Sequence, residues 1–426
     1  MREARRPVLL IAGRALAATM GACRTRSAGG SLLGLEPSAG RAGRDRHGPV
    51  QLMAGSSPEI WTAVDRLVDR GESLDDLRRH RMHLLAGRRW RAIGRAIPVE
   101  LTLDERRSVI AALTAPVLLQ RVRDAYDGPL VVLKGPEVAA RYPDVALRAY
   151  SDLDLLAANP REAHRALVAA GFVPVGNPRL YESIHHLQPL AIRGLPLPIE
   201  LHSVPKWPKG FTPPRTEELF EAAVPSALAV NGIDTLPRLQ HALVLAAHSW
   251  AHDPLRRAGE LVDVAAMSDG LDAAELRSLA ARWGFERIWA TTAAAAGALV
   301  EGGPTPWPLR TWARHLPAVR GRTVLESHLE HWLSSFGAVP AWRGLGEAGG
   351  VIVRELRPAR GETVAAKLSR TRLAMRNALV PRSSHVEQLE RAGISAPLFF
   401  ELEHADADGG HDDELGEGRF PREAHG

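Results

Sequence analysis

One cysteine, Cys23, is all that 426 residues contain, so no disulfide can close within the chain. That usage is compatible with a reducing compartment, and the cytoplasm is the expected one. No uninterrupted apolar run approaches the ~18 residues that a spanning helix needs, which argues against a membrane role. Lysine is nearly missing: of 54 basic residues 50 are Arg, and only Lys134, Lys206, Lys209 and Lys367 break the rule. A chain that writes its surface cations as Arg keeps Lys where a compact ammonium serves better than a planar fork. Three of those four lysines fall between residues 134 and 209. Also missing are an internal repeat and a dense basic stripe interleaved with aromatics, so nucleic-acid binding is not demanded.

What is present is uneven. The net charge of +5 is loaded at the ends: residues 1–52 carry nine Arg against three acids, whereas residues 401–417 carry eight acids and no Arg or Lys. Such stretches are expected to be solvated tails. The opening MREARRPVLLIAGRALAATMGAC looks like a signal peptide, but Arg14 splits an apolar stretch that is already short. Residues 1–56 are therefore read as a disordered Arg/Gly-rich leader, with Met53 as a rival start to Met1. An N-terminal helical segment is expected over 57–124, a core over 125–210, a mainly helical region over 211–400 and an acidic disordered tail over 401–426.

Periodicity supports that division. Ile60, Trp61, Val64, Leu67 and Val68 make one helical face, and two or three helices should precede residue 125. Ser73 with Asp76 resembles a capping box, and Thr102 with Glu105 a better one. Leu130 to Leu133 is a short β-branched run ending in Lys134-Gly135-Pro136, which reads as a buried strand, a tight turn and a helix opened by proline. Leu153 to Leu156 is a second strand, residues 160–170 a helix stopped by Gly171, and Phe172 to Val175 extended chain. His186–Ile192 and Pro198–Val204 flank Gly194 and Pro196 like an antiparallel hairpin. Helices follow over 237–253, 255–268, 272–283 and 285–300, with Trp283, Trp289 and Trp312 at core spacing. Together these predict an α+β fold: a small mixed sheet flanked by N-terminal helices and a C-terminal helical region.

The chemistry sits in the strand-rich part. Asp152 and Asp154 are two apart at a strand start, so both carboxylates face one way, with roughly 7 Å between their Cα atoms, while Leu153 and Leu155 face the core. Carboxylates that close repel unless a cation lies between them, and hard oxygens suit Mg²⁺ or Mn²⁺. Pro198-Ile199-Glu200-Leu201-His202 alternates in the same way and offers Glu200 as a third acid. Gly135 lets backbone amides approach a phosphate, and Lys134 adds a point charge. Ser151 and Arg148, just before the acid pair, are further nucleotide contacts by position.

The stretch LKGPEVAARYPDVALRAYSDLDLL, followed by the hairpin ending in PIELH, resembles the uncharacterised nucleotidyltransferase family of the DNA polymerase beta superfamily. The resemblance implies that Gly135 is the turn, that Asp152 and Asp154 are the metal pair and that Glu200 is the third acid. It further implies a nucleotidyltransferase core that moves a nucleoside monophosphate from an NTP, with Mg²⁺ or Mn²⁺, to an acceptor. Small molecule, sugar, peptide or protein, and RNA all stand open as acceptors, as do base preference and oligomeric state.

Several residues carry two readings. Lys134 either contacts phosphate or snorkels from a strand end, and Arg148 either contacts substrate or makes a salt bridge. His248 and His252 have zinc spacing on one helical face, yet without an HExxH arrangement they read as a polar edge or a substrate-pocket wall. His202 either orients Glu200 or is a packed strand histidine, and Trp207 either closes over substrate or is a buried loop residue. Two rival functions remain: a non-catalytic nucleotide- or partner-binding member of the fold, and a metal-dependent phosphohydrolase built on His248, His252, Asp253 and Asp263.

Overall fold

The structure is a computed structural model that describes residues 56–181, 185–358 and 362–391. The leader up to residue 55, the choice of start and the acidic tail lie outside the described residues. Among the described residues four helices precede the sheet, where two or three are expected: Pro58–Val68, Leu74–Arg79, His83–Ala92 and Val99–Ala125. The first buries Ile60, Trp61, Val64, Leu67 and Val68, the face its 3.6-residue period sets out. Ser73 caps the second by accepting from the Asp76 amide. The expected cap at Thr102 does not exist, because that helix starts earlier, at Val99 behind Pro98, and the Thr102 hydroxyl turns back to the Pro98 carbonyl. A complete capping box is formed instead at Thr323 and Glu326.

Seven short strands make one mixed sheet: β1 (Leu130–Val132), β2 (Leu153–Ala157), β3 (Val173–Pro174), β4 (Leu190–Ala191), β5 (Ile199–His202), β6 (Val224–Pro225) and β7 (Asp234–Thr235). Their order is β3-β4-β5-β2-β1-β7-β6. The expected hairpin is present, with Leu190 opposite Ile199 and His186 bridging to His202. β2 runs antiparallel to β1 and parallel to β5, in a register that pairs Asp154 with Glu200 and Leu156 with His202. Two strands from beyond residue 210 complete the sheet, β7 lying parallel to β1.

Strand alternation assigns the two faces. Leu130, Val132, Leu153, Leu155, Ile199 and Leu201 join Leu118, Leu119 and Val122 of the long helix in one core cluster. Val131, Leu133 and Leu156 point the other way, into a larger cluster with the helices Arg238–His252, Ala258–Ser268 and Glu286–Val300. Each fully buried Leu or Val contributes roughly 1.5–3 kcal/mol, so both faces strongly resist a register slip. Asp154, Glu200 and His202 alternate with the first set and are thereby held on the second face. Trp283, Trp289 and Trp312 are buried, as their spacing predicts. No helix among the described residues is long and apolar enough to cross a membrane.

Candidate metal and nucleotide site

The parallel pairing of β2 with β5 brings two acids 46 residues apart in the chain, Asp154 and Glu200, directly opposite each other. Asp154, Glu200 and His202 each offer a ligand atom, and these atoms lie within 4.8 Å of one another. His202 Nε2 is 2.9 Å from Asp154 Oδ1 and 3.6 Å from Glu200 Oε2, and His186 Nε2 is 3.7 Å from that same Glu200 oxygen. The other oxygen of Asp154, Oδ2, faces Lys134, whose Nζ is 3.1 Å away and also 3.8 Å from Asp152 Oδ2. Asp154 is the base of the site, with its side chain 2% exposed, while those of Asp152 and Glu200 keep 25% and 21% of their surface toward solvent.

Three carboxylates are thus balanced by two protein cations. Burial pushes Asp152 up to about 6, against the pull of Lys134. Burial also works to raise Asp154, but Lys134 and His202 together hold it well below the usual carboxylate range. Lys134 resists the burial that would discharge it and is raised to about 12 by Asp152, Asp154 and Glu200. His202 likewise overcomes burial and rises to about 9 on its bonds to Asp154 and Glu200. Next to it His185 is pushed down to about 2, and His186 is lowered, both mainly by burial.

The turn after β1 supplies the second half of the site. Gly135 adopts φ +66°, where an L side chain is strained, although the nearest atom to an added Cβ would be 3.6 Å away; conformation, not space, calls for glycine. Its carbonyl accepts from Arg148 Nη1 at 3.2 Å. Arg148 is itself gripped by Asp263 through Nε and Nη2, each at 2.8 Å, and Tyr142 donates to Asp263 at 2.7 Å. Its guanidinium therefore supports the turn from inside. Ser151 is exposed beside Asp152.

His248 lines a cavity of about 10 Å³ with Leu133, Lys134, Asp154, His202 and Lys206, room for about one water. The side chain of His252 lies outside the described residues. Asp253 pairs with Arg322 at 2.8 and 2.9 Å, and Asp263 with Arg148 at 2.8 Å. Trp207 packs on Trp283 and Phe285. A larger cavity, about 360 Å³ between Trp61, Arg88, Arg141 and Tyr142, is lined by Asp65 but by none of Asp152, Asp154 and Glu200.

Two groups escaped the sequence reading. His186 touches Glu200, a contact that only the β4–β5 register creates. Arg81 is an exposed cation at φ +55°, close enough to the site to work against the charge on Lys134 and to lower Asp152. Its turn is pinned: the Gly259 amide donates to the His80 carbonyl at 2.9 Å, and a Cβ on Gly259 would lie 2.7 Å from that oxygen. Nothing in a chain with 50 Arg marks residue 81 in advance.

The donor chemistry fits a divalent cation. Carboxylate oxygens and an imidazole nitrogen converge, and the protein has already placed its own positive charges against them. Residues 68–301 match a family described as uncharacterised nucleotidyltransferase, a span that holds the whole sheet, Arg81 and Asp263. No curated protein and no solved structure matches the chain.

Proposed function

This chain belongs to the uncharacterised nucleotidyltransferase family, and on that premise we propose that it moves a nucleoside monophosphate from an NTP to an acceptor in a reaction that needs Mg²⁺ or Mn²⁺. The observation that carries the reading is the meeting of Asp152, Asp154 and Glu200 on one face, beside the Lys134-Gly135 turn. A divalent ion held by Asp154, Glu200 and His202, with Asp152 beside it on Lys134, would neutralise phosphate charge and polarise the reacting oxygens. An acceptor oxygen forms a bond to the α-phosphorus, the α–β bridging bond breaks, and pyrophosphate leaves with the electron pair.

The chain's own residues do the positioning. Gly135, held at positive φ by the Arg148 clamp, presents backbone amide to a phosphate, and Lys134 and Arg81 supply positive charge. Glu200, partly open to solvent, faces the acceptor side. The lone Cys23 suits a cytoplasmic setting.

The test is Asp152→Asn, chosen because Asp152 is partly exposed and the fold tolerates its change better than that of Asp154. Metal-dependent NTP consumption should fall about 100-fold or more at an unchanged urea midpoint. Unchanged consumption would remove the acids from the mechanism. Labelled NTPs incubated with a cell extract then show which acceptor gains label. One observation favours a non-catalytic binding member of the fold: Lys134 stands between two acids where an ion would go. Such a protein would bind NTP and release no pyrophosphate.

A further inference from the structure

Asp154 is shared between two cation positions. Its Oδ1 faces His202 at 2.9 Å with Glu200 beyond, and its Oδ2 faces Lys134 at 3.1 Å with Asp152 beyond. The position on the Oδ2 side is filled by a side chain that has little freedom to leave, since the Lys134 side chain is only 17% exposed and springs from the end of central strand β1. The position on the Oδ1 side is different in kind. It holds an imidazole as well as carboxylates, and a second imidazole, His186, is 3.7 Å from the Glu200 oxygen. The rings of His185, His186 and His202 are mutually 4.9 to 5.2 Å apart, so the nitrogen-bearing wall is continuous. His202 is 2% exposed, and its Nδ1 has no hydrogen-bond partner among the described residues. Nε2, the nitrogen that meets both Asp154 and Glu200, is the ligand atom this ring offers to the Oδ1 side.

We propose that this site takes one divalent ion rather than two, held by Asp154, Glu200 and His202, that the ion is of the first-row transition class, and that Lys134 remains between Asp152 and Asp154 as the second cation. Mg²⁺ prefers an all-oxygen octahedron and gains little from imidazole, whereas affinity for nitrogen rises from Mn²⁺ to Co²⁺. A fixed ammonium in the other position answers the charge of Asp152 and excludes a second ion by repulsion.

The inference deepens the proposed nucleotidyl-transfer reading and is tested without NTP. Calorimetric titration of the full chain with MgCl₂, MnCl₂ and CoCl₂ should give one ion per chain, with Mn²⁺ and Co²⁺ at least about tenfold tighter than Mg²⁺. His202→Gln should erase that preference and shift the visible absorption of the Co²⁺ form, and Lys134→Met should admit a second ion. Two ions on the unaltered chain, Mg²⁺ binding as tightly as Mn²⁺, no binding of any of the three, or a Lys134→Met protein that still takes one ion would each overturn it. Should His202→Gln fail to fold, the stoichiometry and preference of the unaltered chain decide alone. NTP consumed with two Mg²⁺ bound would defeat this inference and leave the functional reading standing. One tightly held Mn²⁺ with no NTP consumed would do the reverse.

Discussion

Arg148 offers the sharpest division between a substrate contact and a scaffold. Its side chain and that of Asp263 are 9% and 11% exposed and share two 2.8 Å bonds. Removing one partner of a buried pair strands the other charge, at a cost of about 3–5 kcal/mol. Tyr142 still donates to Asp263 at 2.7 Å, so Arg148→Met should sit at the lower end, about 3 kcal/mol, or roughly a 150-fold loss in the folding equilibrium. The companion Arg148→Met/Asp263→Asn removes the stranded charge and keeps an acceptor for Tyr142, which should recover about 2 kcal/mol. Urea unfolding measures both. Neither variant restores the donor to the Gly135 carbonyl, so NTP consumption should stay low even in the recovered double variant. If Arg148→Met lost under about 1 kcal/mol while its affinity for NTP fell, the guanidinium would be a nucleotide contact and the buried-clamp reasoning would be refuted.

Other outcomes follow from single residues. Gly135→Ala should cost about 1–2 kcal/mol from the left-handed backbone alone, with NTP turnover falling further than stability; equal losses would deny the turn a role in binding. Arg81→Gly relieves a strained φ and deletes a cation, so stability should stay within about 1 kcal/mol while KM for NTP rises; an unchanged KM removes Arg81 from phosphate binding. Acid should destabilise the protein between pH 6.5 and 4. His80 is lowered by burial to about 4, and its Nδ1 accepts from the Ala258 amide, so the unfolded chain takes up a proton in that window and the folded one does not. Stability lost there on acidification, up to ~1.4 kcal/mol per pH unit from this one group, should shrink in His80→Gln, and a urea midpoint flat across the window would contradict the burial argument.

The acid face was legible because strand alternation needs only local spacing. Leu153 lies between Asp152 and Asp154, and Ile199 precedes Glu200; each must face the core, and that requirement fixes where the carboxylates go. The Lys134-Gly135 turn was legible for a similar reason, since a β-branched run ending in glycine and proline has few other solutions. What could not be read depends on chain segments far apart. Arg148 finds Asp263 115 residues away, and nothing local distinguishes that pairing from a phosphate contact. The two-residue strands β6 and β7 carry no period to detect, and only the open edge of β1 recruits β7. Thr102 shows local logic failing outright: a good capping pair was overruled because Pro98, with its fixed φ, already starts the helix one turn earlier.

The central place of β1 has a practical consequence for anyone who wishes to shrink this protein. That strand carries Lys134 and Gly135 at its end, yet one of its neighbours is β7 at Asp234–Thr235, and the arginine beneath the glycine is tethered at Asp263. Excising the stretch that holds the acids would leave an unzipped edge and an untethered corner. The smallest portable version must run from before His80 to beyond Asp263, so the acid face behaves as a keystone set by both flanks rather than as a cassette.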